Sequence, residues 1–307
     1  MELTEYIINN RYNYGFINNP QNDIYVKILD RMRIKPASPV FSIVMPIYNQ
    51  ENIIVKNLNS VLEFTGGRDY EIILIIDACS DNTEETVIKW SKSLDIQKYT
   101  FLVKLTILKT EAPLFETAAD NLGFFCSHGK YILEIQADME MTEKDYNMKL
   151  LKPFLQDNRI IGMSGRCCHS FDCLNHVGKM GRRIEQRLDE LSNIDPYSYY
   201  IADTCNRGPL LLDRDKLSEL GFLDEANYFL DNSDHDLFVR AKVKNWLCGY
   251  VPIEFISDLK NGSTRKIRDE KNEYYYQLNK KTKTGLNGFL YKTNLQSRPI
   301  TKHPLIY

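Results

Sequence analysis

Short apolar runs of strand length alternate with segments of helical periodicity through the middle of the chain. Four of these runs are the strand candidates Phe41–Ile47, Glu71–Ile76, Phe101–Leu108 and Tyr131–Gln136. Between the first two runs, Ile54, Leu58 and Val61 recur at helical spacing. Apolar strands that alternate with helices are typical of a mainly parallel sheet covered on both faces. The pattern therefore predicts an α/β fold with helices flanking such a sheet.

Weaker signals follow toward the carboxyl terminus. They are the strand candidates Ile160–Met163, Pro209–Leu212 and Gly249–Phe255 and a helix around Leu237–Ala241. We expect three regions in the chain. They are an N-terminal arm over residues 1–40, a main domain over residues 41–266, and a basic, tyrosine-rich extension over residues 267–307.

The carboxyl ends of the predicted strands carry polar side chains. In open α/β sheets, ligands bind outside these ends. The residues there are Tyr48, Asn49, Asp77, Ala137 and Asp138. Carboxylates do not face a nucleotide diphosphate unless a cation lies between them. A nucleotide site that uses a divalent cation is therefore one hypothesis for this edge.

Composition and charge narrow the class of protein. The 307 residues are 43% hydrophobic with a net charge of −2, which is typical of a globular protein and does not favour a nucleic-acid partner. Charge is uneven, because Lys260–Tyr307 holds 11 Lys and Arg against 3 Asp and Glu. This basic tail permits peripheral contact with a membrane surface or another anion, and a solvated tail explains it equally well. Seven cysteines and a polar start without a secretory pattern favour a reducing, cytoplasmic location.

Two segments near the first strands carry a family pattern. Val44–Asn49 ends in P-x-Y-N, and Ile75–Thr83 resembles a D-D-G-S-x-D segment, from which it departs at Ala78 and Cys79. Together with the segments below, they resemble the family 2 glycosyltransferases, inverting enzymes of the Rossmann-like GT-A fold. The resemblance implies that four residues contact the base and ribose of a nucleotide sugar: Pro46, Tyr48, Glu51 and Asp77.

The third segment, Gly129–Glu140, resembles the family's G-x-Y-I strand and its D-x-D motif. The triplet here is Gln136-Ala137-Asp138, so an amide replaces the first acid. The resemblance implies that Asp138 binds Mn²⁺ or Mg²⁺ and that Gln136 and Ala137 contact the nucleotide sugar. Hard cations prefer such oxygen ligands. Glu140 is a reserve ligand.

The fourth resemblance joins Asn206–Leu211 to Asp231–Ala241. It implies that Asp234 is the catalytic base, which takes the proton of the acceptor hydroxyl, and that Arg207 contacts the donor. Asp236 is a rival base, although a first-turn helix acid is the favoured interpretation.

A last segment, Asp258–Lys266, resembles the loop that closes the family's donor site. Where many relatives have a histidine ligand, this chain has Asp258, which would be the second metal ligand. Arg265 would contact the diphosphate, since its guanidinium matches phosphate geometry.

The sequence thus predicts metal-dependent, inverting transfer of one sugar, with a UDP-sugar as the expected donor and an unidentified acceptor hydroxyl. Two alternatives stay open. One is a non-catalytic nucleotide-sugar-binding or scaffold protein of the same fold, and the other is a sugar nucleotidyltransferase. A nicotinamide enzyme is disfavoured because no G-x-G-x-x-G follows a strand.

A cluster of potential soft ligands follows the strand candidate Ile160–Met163. It consists of Cys167, Cys168, His169, Cys173 and His176. Its spacing matches no standard zinc site, and adjacent cysteines rarely ligate one ion. Zinc binding is therefore the less favoured interpretation.

Overall fold

The computed structural model describes most of the chain: residues 25–33, 38–111, 113–171, 176–181, 194–225, 227–228, 232–257 and 296–306. The strands, in chain order, are β1 Tyr25–Met32, β2 Phe41–Ile47, β3 Tyr70–Asp77, β4 Leu102–Thr110, β5 Tyr131–Glu134, β6 Met139–Met141, β7 Ile160–Ser164, β8 Cys167–Phe171, β9 His176–Gly181, β10 Ser198–Ala202, β11 Thr204–Cys205, β12 Leu210–Asp213, β13 Leu247–Tyr250, β14 Phe255–Ser257 and β15 Thr301–Pro304. The helices are α1 Ile54–Phe64, α2 Thr83–Ser93, α3 Phe115–Phe125, α4 Tyr146–Gln156, α5 Arg214–Glu219 and α6 Ser233–Val243, with a 3₁₀ turn at Ile96–Lys98.

Within this described part, ten strands form one sheet in the order β1-β4-β3-β2-β5-β12-β7-β13-β10-β15. β2, β3, β4 and β5 are parallel neighbours, and β7 pairs in parallel with β13. The pairings make β1, β12 and β10 run against the direction of the other seven strands. The predicted mixed α/β fold with a mainly parallel sheet is therefore confirmed. Two small sheets, β11-β8-β9 and β14-β6, lie beside it.

Apolar residues alternate between two faces along the central strands. On β2, Ile43 and Met45 pack into one core with α1, α2 and α4, whereas Val44 packs into the other core with α3 and α6. Both faces are buried, so β2 and β3 are apolar at nearly every position instead of alternating with polar residues. This two-sided burial is the reason why the strands were predictable from short apolar runs.

The predicted strand Gly249–Phe255 is wrong as a single element. The chain forms β13 up to Tyr250 and β14 from Phe255, with non-strand residues between them. Pro252 lies in that gap, and a proline cannot donate to a strand ladder. The break lets β14 leave the main sheet and pair with β6.

Strands from both flanking regions complete the main sheet. β1, in the predicted arm, pairs antiparallel with β4, and β15, in the predicted extension, pairs antiparallel with β10. The sequence patterns predicted neither strand, since both are partly exposed edge strands. The limits 1–40, 41–266 and 267–307 stay predictions. Among the described helices, each is too short or too polar to cross a bilayer.

Candidate active site

The carboxyl ends of β2, β3 and β5 lie side by side, because these strands are parallel neighbours. β5 pairs with β2 only as far as Val44, whose carbonyl accepts the N–H of Ile135 at 3.0 Å. Pro46 is the next β2 residue that faces β5, and its missing N–H breaks no ladder because β5 has already diverged. Pro46 and Tyr48 are half-buried at this edge. Their contact with a nucleotide stays a prediction.

Hydrogen bonds join the loops after β2 and β3, which we call the strand-end loops (residues 48–51 and 78–82). Asn49 adopts a left-handed conformation with φ of 50°, and its side chain exchanges two hydrogen bonds of 2.9 Å with Ser80. The Asn49 N–H also lies 3.4 Å from the Sγ of Cys79, one of the two residues that depart from the family pattern. Burial raises the pKa of Cys79 to about 11, so its thiol stays neutral. Cys79 therefore helps to hold the loop.

Glu51 connects the same loops from the other side. Its carboxylate accepts the N–H of Asn82 at 2.9 Å, and its own N–H donates to Asp81 at 3.3 Å. Asn82 precedes α2, so Glu51 lies at a helix N-terminus, where negative charge is favoured. The predicted contact of Glu51 with ribose is untested.

Asp77 ends β3 and is buried. Its carboxylate accepts hydrogen bonds from the Thr110 hydroxyl at 2.9 Å and from the N–H groups of Leu114 and Phe115 at 2.7 and 2.9 Å. These bonds fix the start of α3 against the end of the sheet. The predicted contact of Asp77 with the base would add to this structural role.

The altered triplet lies in the turn between β5 and β6. The Gln136 amide donates to Glu116 Oε1 at 2.7 Å, and the Ala137 carbonyl accepts the Asn57 amide at 2.7 Å. Asp138 is half-buried in this turn. Glu140, two residues later, forms an ion pair with Lys56. Thus contacts of Gln136, Ala137 and Glu140 hold the turn that carries Asp138.

Two predicted residues, Asp258 and Arg265, lie outside the described residues. β14 ends at Ser257, which pairs with Met139, the residue after Asp138. Across the described residues, no three His, Cys, Asp or Glu side chains gather closely enough to hold a metal ion by themselves. Cys173 and the side chain of His176 are not among those described, so the zinc hypothesis stays untested in part.

An ionic cluster lies behind the triplet. It consists of Glu116, Asp120, Glu134, Arg207 and Asp234. The buried Arg207 guanidinium contacts Asp120 at 2.8 Å and Glu116 at 3.3 Å, and the N–H of the following residue, Gly208, donates to Glu134 at 2.6 Å. In the structure, the Arg207 guanidinium thus contacts carboxylates of the protein itself. Its predicted contact with the donor stays a prediction.

Burial controls the protonation of two acids in the cluster. It raises the pKa of Asp120 to about 7, against the opposing charge of Arg207. Burial, together with the charge of Asp120, also raises the pKa of Glu134 well above its ordinary value. Several carboxylates share one arginine, so proton uptake is how the cluster limits its buried negative charge.

Asp234 lies in the first turn of α6 and is buried. Its Oδ2 accepts the Arg207 N–H at 3.1 Å and the Asn206 amide at 3.4 Å, and its Oδ1 accepts the His235 N–H at 2.8 Å. Burial alone would raise the pKa of Asp234, but charge on His235 and Arg207 and the N–H donors hold it below its ordinary value. Burial also lowers the pKa of His235, so its imidazole is mainly neutral near neutral pH. At that pH, Arg207 and the hydrogen bonds are therefore what keeps the pKa of Asp234 low.

The rival carboxylate is engaged elsewhere. Asp236 is buried and forms an ion pair with Arg240 at 2.8 Å, one helical turn later. This i,i+4 pair agrees with the interpretation of Asp236 as a first-turn helix acid.

Sequence reasoning assigned no role to Glu116, Asp120, Glu134 or Asn206. Asp120 and Glu134 did carry a signal, because each is an acid within an apolar helix or strand, and a buried acid needs a partner. Glu116 and Asn206 lie in segments of ordinary polarity, and only the fold brings them to Arg207 and Asp234.

Residues 42–207 match the model of glycosyl transferase family 2. The chain belongs to this family. The match includes the strand-end loops, the Gln136–Asp138 triplet and Arg207, whereas Asp234 lies beyond it. The resemblance to the family is therefore confirmed.

Relatives of this family 2 chain are distant. Over 113 residues it is 26% identical to a dolichyl-phosphate β-glucosyltransferase of Dictyostelium discoideum, which is 34% of this chain and 33% of that protein. Thus it spans about a third of the length of that relative. Over 239 residues it is 22% identical to a UDP-Glc:α-D-GlcNAc-diphosphoundecaprenol β-1,3-glucosyltransferase of Escherichia coli, with 76% of this chain and 83% of that protein covered.

Two solved structures share the fold. GalNAc-T7 with UDP, GalNAc and Mn²⁺ superposes with a TM-score of 0.55 and 14% identity, over 71% of this chain and 44% of that one. The mannosyltransferase PcManGT from Pyrobaculum calidifontis, in complex with GDP-Man and Mn²⁺, gives 0.54 and 14%, over 91% and 75%. These likenesses show the GT-A fold.

Proposed function

We propose that this chain is a metal-dependent, inverting glycosyltransferase that transfers one sugar from a UDP-sugar to an acceptor hydroxyl. One observation carries the proposal. Asp234 is connected to the strand end that bears Asp138 through Arg207, whose N–H binds Asp234 and whose guanidinium binds Glu116. Glu116 in turn accepts the amide of Gln136. These contacts thus link a candidate base to the triplet that ends in a candidate metal ligand, at the edge of the sheet where α/β folds bind ligands.

Asp234 suits the role of base. In an inverting transfer, the acceptor oxygen forms a bond to the anomeric carbon as the bond to the diphosphate breaks, and a carboxylate takes the hydroxyl proton. The lowered pKa of Asp234 keeps it ionised near neutral pH, so it is ready to accept this proton. Its three N–H donors fix the direction of the carboxylate.

Asp138 suits a divalent cation. Mg²⁺ is usually held by one or two carboxylates together with substrate phosphates and water, so a complete protein cage is not needed. Asp258 would be the second carboxylate, and it follows in sequence directly after Ser257, the partner of Met139. A cation held there would screen the negative charge that builds on the leaving diphosphate.

The strand-end loops would hold the nucleotide. Pro46, Tyr48, Glu51 and Asp77 are the proposed contacts with base and ribose, and Gln136, Ala137, Arg207 and Arg265 are proposed on the phosphate and sugar side. The E. coli relative is named for UDP-Glc, which supports a UDP-sugar, whereas PcManGT binds GDP-Man. Both nucleotides therefore belong in the test.

The first experiment measures release of nucleoside diphosphate from UDP-Glc, UDP-GlcNAc, UDP-Gal and GDP-Man, with Mn²⁺, with Mg²⁺ and with chelator. We expect metal-dependent release from one donor, loss in Asp138→Ala and retention in the matched control Glu140→Ala, whose acid already pairs with Lys56. Equal loss in both variants would remove the special role of Asp138.

The second experiment tests the base. Asp234→Asn should lower kcat by about 10² to 10⁴-fold while leaving binding of the nucleoside diphosphate and Mn²⁺ unchanged in calorimetry. Asp236→Asn is the rival variant, and a larger loss there would transfer the role to Asp236. Absence of turnover and of nucleotide binding would favour the non-catalytic alternative, and release of pyrophosphate from UTP and a sugar phosphate would favour nucleotidyl transfer.

A further inference from the structure

Part of the cysteine and histidine cluster lies behind Asp234. The amide oxygen of Asn206 is 2.5 Å from His169 Nε2 and 2.9 Å from Cys167 Sγ. The amide nitrogen of the same Asn206 lies 3.4 Å from Asp234 Oδ2. Asn206 therefore connects the imidazole of His169 with the carboxylate of Asp234.

Chemistry determines how the Asn206 amide is oriented. An ionised carboxylate only accepts hydrogen bonds, so the NH₂ group must face Asp234 and the oxygen must face His169. His169 must then donate through Nε2, which requires the Nε2–H tautomer or the imidazolium. The thiol of Cys167 donates to the same oxygen. The carboxylate of Asp234 thus sets which end of Asn206 faces it, and the Nε2–H of His169 and the thiol of Cys167 hold the amide in that orientation.

The surroundings hold His169 in place. It is buried on β8, where it pairs across the sheet with Lys179 of β9. Its ring meets the ring of His235 edge-on, with centroids 5.0 Å apart at 88°. His235 Nδ1 lies 2.9 Å from the Thr204 hydroxyl, so the second imidazole is anchored as well. A rigid support is what a positioning residue needs.

We propose that Asn206 is a positioning residue for Asp234 and that His169, in its Nε2–H form, holds Asn206 with its amide nitrogen toward Asp234. The catalytic part of this proposal rests on the proposed role of Asp234 as base. The direction of the two hydrogen bonds, from His169 to the Asn206 oxygen and from the Asn206 nitrogen to Asp234, does not depend on whether Asp234 removes a proton from the acceptor.

The first test needs neither a donor nor turnover. In the ¹⁵N-labelled full chain, the ring nitrogen shifts of His169 should report a hydrogen on Nε2, and an Nδ1–H tautomer would overturn the proposal. The ¹³Cγ titration of Asp234 should move upward by about one pH unit in Asn206→Ala, because one donor to the charged form is lost. An unchanged titration would overturn the proposal as well.

The second test uses three variants of His169 and the donor that turns over in the panel. Gln places an amide nitrogen near the position of Nε2, Asn places one near Nδ1, and Phe keeps the ring without a donor. We expect His169→Gln to keep kcat within about threefold of wild type, and His169→Asn and His169→Phe to lose about tenfold or more with unchanged KM for the donor. Equal losses in all three variants, or an effect on KM alone, would overturn the proposal.

A double-mutant cycle separates positioning from folding. Asn206→Ala should lower kcat by about 10 to 100-fold in the wild-type background and cause no further loss in Asp234→Asn. Additive losses would show that Asn206 acts through the general fold. If Asp234→Asn alone leaves transfer unchanged, the base assignment fails, while the titration of Asp234 still decides the direction of the two hydrogen bonds.

Discussion

The strand-end loops and the ionic cluster lie at the same edge of the sheet, but different interactions hold them. In the loops, backbone N–H groups and half-exposed side chains such as Asn49 and Glu51 form hydrogen bonds between segments about thirty residues apart. In the cluster, buried charges meet across long stretches of chain, as when Arg207 binds Asp120. Water screens the first kind of contact much more than the second. Substitutions in the two regions should therefore differ in size and in pH dependence.

The largest effect is expected at the centre of the cluster. Arg207→Met removes the cation from Glu116 and Asp120, and loss of one partner of a buried ion pair costs about 3–5 kcal/mol of the free energy of unfolding. Urea unfolding measures this loss. The matched variant in the loops is Glu51→Gln, whose amide oxygen can still accept the Asn82 N–H, and it should cost less than about 1 kcal/mol. Equal costs would remove the distinction between the two regions.

The cluster should also make stability depend on pH. Burial raises the pKa of Asp120 from 3.8 to about 7, so between these values the native state binds a proton that the unfolded state does not. The stabilisation from this proton is complete below about pH 4 and is lost as the pH rises through about 7. The side chain of Asp120→Asn cannot titrate. Between about pH 4 and pH 7 its free energy of unfolding should therefore decrease by a few kcal/mol less than that of the wild type.

Urea unfolding at pH 4, 5, 6 and 7 compares the slopes of wild type and Asp120→Asn. Glu63→Gln, which changes a solvent-exposed acid on α1, should keep the wild-type slope. A wild-type slope in Asp120→Asn would show that Asp120 stays ionised beside Arg207.

The smallest effect is expected in the strand-end loops. Asn49→Ala removes two hydrogen bonds to Ser80 and places a Cβ-bearing residue without local hydrogen bonds at φ of 50°, which should cost about 1–2 kcal/mol. Asn49→Gly relieves the backbone strain, and Ser80→Ala removes only the hydroxyl contact, so both should cost less. Thermal unfolding of the three variants ranks them, and a larger loss in Ser80→Ala would contradict this account.

Much of the fold was predictable because the central strands are buried on both faces. The bounds of β2 match the apolar run Phe41–Ile47, and β3 extends the predicted run by one residue at each end. Edge strands were not predictable in this way, since β1 mixes exposed and partly buried residues. Pro252 marks the break between β13 and β14, because a proline cannot donate a hydrogen bond to a strand ladder. The apolar residues around Pro252 favoured one continuous strand instead.

The site was predictable only where motifs are contiguous. Asp77 and the triplet ending in Asp138 follow strands whose carboxyl ends must meet at one edge, so the sequence alone places them together. The role of the Arg207 side chain was not visible, because its partners Glu116 and Asp120 lie on a helix far along the chain. Contact between such segments depends on how α3 packs on the sheet.

The sequence by itself determined the order of the central strands and the helices between them, the family, and the carboxylates at the ends of those strands, because these follow from apolar periodicity and local motifs. Only the tertiary structure decided which charges are buried together and in which direction their hydrogen bonds run. Burial changes the pKa of Asp120, and the hydrogen bonds of Asn206 decide how Asp234 is held. Both effects depend on distances of a few ångströms between residues far apart in the chain, and no local pattern encodes such distances.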